Sequence, residues 1–72
     1  MSQTTSLSIV LNGTPKTLEN VNTIAELLVH LGYQGKRVAV EQNGQIVPRS
    51  NHEQVALSNG DQLEIVVAVG GG

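Results

Sequence analysis

Leu63-Glu64-Ile65-Val66-Val67-Ala68-Val69 runs straight into Gly70-Gly71-Gly72. The first seven residues are dense in Leu, Ile and Val, the composition of a buried β-strand. Glu64 is their only charge. The strand then passes into bare glycine, which predicts a flexible, side-chain-free tail over residues 70–72 with a free carboxylate at its tip. Glycine has no Cβ and tolerates either sign of φ, so another protein's backbone can close around such a thread. Extended, the tail reaches roughly 10 Å beyond the fold.

Working back from that strand, Asn59-Gly60-Asp61 is a turn signal that launches it. Residues 49–58 read as irregular or a short helical turn, with Val55 and Leu57 buried. Gln45-Ile46-Val47 is a short strand stopped by Pro48, and Asn43-Gly44 joins it tightly to a strand over Val38–Gln42. Ile24, Leu27, Leu28 and Leu31 recur at i, i+3, i+4 and i+7, one apolar face of a helix. Thr23 and Glu26 form a capping box at its start, and Gly32 suits the left-handed residue that closes it. Before the helix, Leu7, Ile9 and Leu11 alternate with polar residues and Val10. Asn12-Gly13 then turns the chain into Thr14–Glu19, where Pro15 marks an edge strand. The order is ββαββ-turn-β. A single helix crosses between the second and third strands and packs on one face of a mixed sheet of four to five strands, an α+β fold. The domain spans residues 7–69, preceded by a polar extension over 1–6.

With 72 residues the chain forms one small domain with a modest core. It has no Cys, so disulfides, thiolate metal sites and a cysteine nucleophile are excluded. The polar start carries no signal-peptide core, and no apolar run is long enough for a membrane span, so a cytoplasmic protein is expected. A net charge of −2 argues against nucleic acid as a partner. His30 lies beside the helix's apolar stripe and His52 in a polar loop. Neither has ligands at metal spacing, so no metal site is expected. No phosphate loop or dinucleotide fingerprint occurs among the glycines. Asp61 reads as turn chemistry, and Glu41 and Glu64 as residues of a solvated strand face.

No side chain therefore offers a self-contained active site, and the expectation is a non-enzyme. The remaining candidate for covalent chemistry is the α-carboxylate of Gly72, an oxyanion at neutral pH able to attack phosphorus. Strand alternation adds a second feature. If Leu63, Ile65, Val67 and Val69 face the helix, then Val66 and Ala68 face away, as does Val10 on the first strand.

Several segments together resemble the bacterial sulfur carrier family of thiamine biosynthesis. They are Leu11-Asn12-Gly13, Val40-Glu41-Gln42-Asn43-Gly44-Gln45-Ile46-Val47-Pro48-Arg49, Asn59-Gly60-Asp61 and the glycine end, so the resemblance covers residues 7–72. It implies a ubiquitin-like β-grasp fold, with the first and last strands parallel at the sheet centre. In that arrangement Val10 and Val66 would be neighbours, and with Ala68 would form a partner-docking face leading to the tail. The resemblance also implies a mechanism. An E1-like adenylyltransferase uses ATP and Mg²⁺ to convert the Gly72 carboxylate to an acyl-adenylate. A persulfide from a cysteine desulfurase then replaces AMP, and the resulting thiocarboxylate gives its sulfur to thiazole synthase. Gly72 would be the modified residue, Gly70 and Gly71 its access thread, and no cofactor would be bound by the domain itself.

Two features depart from the family pattern. Gly70 adds a third glycine to the usual terminal pair, and residues 1–6 extend the N-terminus; neither has an assigned role. Three rival readings share the features above. The small subunit of molybdopterin synthase uses the same terminal thiocarboxylate. A ubiquitin-like modifier would pass an activated Gly72 to lysine amines. A plain interaction domain would carry an inert tail.

Overall fold

The computed structural model describes residues 6–68. Its elements are β1 (Ser6–Leu11), β2 (Thr14–Glu19), α1 (Ile24–His30), β3 (Val38–Gln42), β4 (Gln45–Val47), a 3₁₀ turn (Arg49–Asn51) and β5 (Gln62–Val67). The strands form one five-stranded sheet in the order β2-β1-β5-β3-β4. β1 and β5 run parallel at its centre, and every other pairing is antiparallel. β1 begins at Ser6, one residue earlier than expected, because Ser6 pairs with Glu19. The expected last-strand residue Val69, the glycine tail and most of the polar extension lie outside the described residues.

The two Asn-Gly hairpins have the geometry their sequence demands. Asn12 and Gly13 sit at φ 50° and 82°, and Asn43 and Gly44 at 52° and 85°. Two consecutive left-handed residues give the turn whose twist matches the flanking strands. β2, with Pro15, is an edge strand as expected.

The helix is only seven residues long, too short to persist by itself. Burial of Ile24 and Leu27, both fully inaccessible, and of Leu28 fixes it to the sheet. Its N-terminal amides are all accounted for. Ile24 N–H donates to Val55 O (3.1 Å), Ala25 N–H to His52 O (2.8 Å) and Leu27 N–H to Thr23 O (3.0 Å). Glu26 N–H donates to Thr23 Oγ1 (3.2 Å). The capping box is thus half as expected. Glu26 Oε1 accepts from Asn22 N–H (2.7 Å), one residue before the cap. At the other end, Tyr33 N–H donates to Leu28 O and Gly32 N–H to Val29 O, the paired closure that a left-handed glycine permits.

The core lies between α1 and the inner sheet face, built from Ile9, Leu11, Leu18, Val40, Leu63 and Ile65 against Ile24, Leu27 and Leu28. Leu57 is buried as expected, whereas Val55 is only half-buried.

Candidate functional site

β5 carries the chain to its C-terminal end, and its two flanks are held differently. On the β3 side, register continues from Gln42↔Leu63 to Val38↔Val67, and Ala68 N–H donates to Arg37 O at 2.9 Å beyond it. On the β1 side, pairing is confined to Val10↔Gln62 and Leu11↔Leu63. The β1 ladder thus covers only the first two residues of β5. β1 ends because the chain must turn at Asn12. The Asn12 side chain then takes over the ladder. Its Oδ1 accepts from Ile65 N–H (2.9 Å) and its Nδ2 donates to Ile65 O (3.2 Å). By strand alternation the N–H and C=O of Val67 face the side that β1 has vacated.

The turn that launches β5 is held by Asp61, which is buried. Its Oδ2 accepts from Ser58 N–H (2.8 Å) and Gln42 Nε2 (2.9 Å), and its Oδ1 from Asn43 Nδ2 (3.0 Å). Burial by itself would raise the carboxyl's pKa. The hydrogen bonds from Asn43, Ser58 and Gln42 outweigh it and hold the group below the ordinary carboxylate value. Sequence reading placed Asp61 in a turn but did not see that it ties that turn to the β3–β4 hairpin.

Of the residues expected on the open face, Val66 is 65% exposed and Ala68 is exposed, while Val10 is half-buried. All three point away from the helix, but they do not form one patch. Val10 lies opposite Gln62, whereas Val66 lies opposite Ala39 on β3. Four residues along a strand separate Gln62 from Val66, about 13 Å. The Val10–Val66 adjacency is corrected accordingly. Ala39, Val66 and Ala68 form an exposed group at the root of the tail, and Val10 belongs with Pro15 at the far end of the face. Between the two stand Glu41 and Glu64, directly opposite each other.

His52 lies in a loop after the 3₁₀ turn, as expected, but it is only 6% exposed, and its Nε2 lies 3.2 Å from Val47 O. The ring is buried because its segment folds back over the start of α1. Among the described residues, no group of three or more His, Cys, Asp or Glu could hold a metal ion. No helix among them is long and apolar enough to cross a membrane. A cleft of about 270 Å³ opens on the helix side, lined in part by Lys36, Arg37 and Arg49. Its lining carries no hydroxyl or thiol. Gly70, Gly71 and Gly72, the expected thread and modified residue, lie outside the described residues.

The described geometry is a mixed sheet whose central strand runs toward the C-terminal end, and the comparisons bear on what it belongs to. A model of the ThiS family matches residues 9–72, glycine end included. The thiazole synthase of Paramagnetospirillum magneticum is 44% identical over 66 residues, 92% of this chain. The chain spans only a fifth (20%) of that relative's length. The sulfur carrier protein ThiS of Bacillus subtilis is 38% identical over 57 residues, covering 79% of this chain and 86% of the relative. The crystal structure of thiamine biosynthesis protein ThiS from Geobacter metallireducens superposes with a TM-score of 0.76 at 30% identity. It covers 92% of this chain and 100% of its own. The five-stranded mixed sheet with its single main helix is thus a ubiquitin-like β-grasp fold, and the chain belongs to the ThiS family.

Proposed function

We propose that this chain is a sulfur carrier of thiamine biosynthesis, holding sulfur as a thiocarboxylate on Gly72 and delivering it to thiazole synthase. The observation that carries the reading is the family match running through residue 72 on a fold whose central strand leads to that end. An E1-like adenylyltransferase, using ATP and Mg²⁺, supplies the activation. A Gly72 carboxylate oxygen attacks the α-phosphorus, pyrophosphate leaves, and the acyl carbon gains AMP as a leaving group. A persulfide sulfur, derived through a cysteine desulfurase, attacks that carbon and expels AMP. A thiol then cleaves the S–S bond and leaves the thiocarboxylate.

The domain's part is to present the tail. Gly70 and Gly71 thread the partner's cleft, and the exposed group at Val66 and Ala68 docks the globular part. Binding energy gained there aligns the carboxyl in the partner's site, a proximity effect. Val10, at the other end of the face, extends the contact. The domain acts as a co-substrate with no active site or cofactor of its own, in the cytoplasm, where ATP is supplied. Relatives named thiazole synthase favour that destination over molybdopterin synthase or protein lysines.

Intact-protein mass spectrometry tests the proposal. Incubation with ATP, the adenylating enzyme and a sulfur source should add the mass difference between sulfur and oxygen. Removal of Gly72 should abolish the change, and no shift in the intact chain under competent conditions would refute the reading.

A further inference from the structure

The register of the open face places two like charges side by side. Glu41 on β3 lies directly opposite Glu64 on β5, and Ile46 on β4 lies directly opposite Glu41. One row on, Ala39 lies opposite Val66. Like charges facing each other across antiparallel strands oppose pairing, where a neutral or oppositely charged neighbour would support it. Neither carboxylate has an ion-pair partner among the described residues. Three of the four basic residues, Lys36, Arg37 and Arg49, line the helix-side cleft. The fourth, Lys16, is on edge strand β2, opposite Ile9 of the inner face. The described fold therefore does not relieve the repulsion.

The flanks of this acidic pair are apolar and open to solvent. Ile46 is 64% exposed and Val66 is 65% exposed. A partner covering those two side chains would also exclude water from the carboxylates between them, and the repulsion would grow unless a cation entered with it. A second copy of this chain brings no such cation, because its own face carries the same two acids.

We infer that Glu41 and Glu64 together receive one arginine or lysine of thiazole synthase, set among apolar side chains that cover Ile46 and Val66. Arginine suits the site best, since its planar fork can donate to two carboxylates at once. The inference rests on the sulfur-carrier reading, and relatives in which this domain's sequence lies within thiazole synthases point to that protein as the occupant.

The test is the double variant E41Q/E64Q, which keeps side-chain length and removes both charges. Relief of the repulsion should raise its melting temperature by about 2–4 °C. Its affinity for thiazole synthase of the same organism, titrated at low salt, should fall about fivefold or more. The difference from wild type should narrow but persist at about 0.5 M salt, because a contact sealed from water is screened less than an exposed one. A melting temperature that falls, or an affinity equal to wild type at low salt, overturns the inference. Val66→Asp separates this outcome from failure of the underlying reading. If V66D abolishes binding while E41Q/E64Q binds normally, only the cation site is lost. If V66D, still folded by circular dichroism, binds normally, the face is not the docking surface and the cation site fails with it, while wild type that does not bind thiazole synthase at all counts against the sulfur-carrier reading itself.

Discussion

Replacing Asn12 with glycine isolates the device that extends the sheet past the end of β1. Asn12 sits at φ 50°, a conformation glycine adopts without strain, so N12G keeps the hairpin and deletes only the side chain. The loss is two hydrogen bonds to Ile65, at 2.9 and 3.2 Å. At about 1 kcal/mol each, they sum to about 2 kcal/mol. Glycine's easier entry into the left-handed region returns a few tenths of a kcal/mol. For a domain of this size the net should lower the melting temperature by about 10 °C. Asn12→Ala loses the same bonds and adds the steric cost of a Cβ at positive φ, so it should be worse than N12G by about 1 kcal/mol.

Thermal unfolding followed by circular dichroism gives the stability, and amide hydrogen exchange gives the location. In N12G the Ile65 amide should lose protection beyond the global change. The Val10 amide, which donates to Asp61 O at 2.9 Å, should change only with overall stability. An unchanged melting temperature with Ile65 still protected would refute the argument that this side chain substitutes for a missing strand.

Two further outcomes follow from the same packing. Asp61→Asn should cost about 2 kcal/mol at neutral pH, because one oxygen that accepts hydrogen bonds becomes a donor facing donors. The native carboxyl is held below its unfolded value, so its contribution is complete above about pH 5 and is lost as pH falls through the folded-state pKa. Acid unfolding of D61N should therefore show a shallower limb than wild type, and parallel limbs would contradict the assignment. Leu27 is fully buried under the sheet, and Leu27→Ala should cost about 3 kcal/mol in urea unfolding. A loss below 1 kcal/mol would mean that α1 is not held by that contact.

The elements were legible because their signals are local. Asn-Gly pairs fixed both hairpins, alternation fixed which residues of β1 and β5 face the helix, and the Ile24–Leu31 spacing fixed α1. Apart from the capping-box acceptor, which shifted by one residue, the errors were non-local. Asn12 read as a turn residue and nothing more, because its second role depends on Ile65, 53 positions away. Val10 and Val66 were assigned the correct face but the wrong neighbours. A hairpin's turn sets the stagger of its two strands, whereas β1 and β5 are parallel and no turn joins them, so their register is not written in either stretch. His52 lies between the polar residues Asn51 and Glu53. Its burial comes from the backbone of its segment satisfying the first amides of α1, a demand set by a helix more than 20 residues upstream.

The asymmetry of β5 bears directly on the carrier reading. A chain end that must be activated in one protein and spent in another has to leave the fold in a defined direction, yet remain open to a partner. The first half of β5 meets the first need. Leu63 and Ile65 are buried, both flanks are bonded as far as Ile65, and Asp61 clamps the turn behind them. The second half meets the other. From Val66 to Ala68 the strand is held, among the described residues, on the β3 side alone, with its outer side chains exposed and one flank of backbone facing the space where β1 has ended. A longer β1 would have paired Val67 and closed that flank. A missing Asn12 side chain would have opened it two residues earlier, at Ile65, whose side chain belongs to the core. The end of β1 and the Asn12 amide together set where the strand stops being scaffold and becomes an approach to the glycine end.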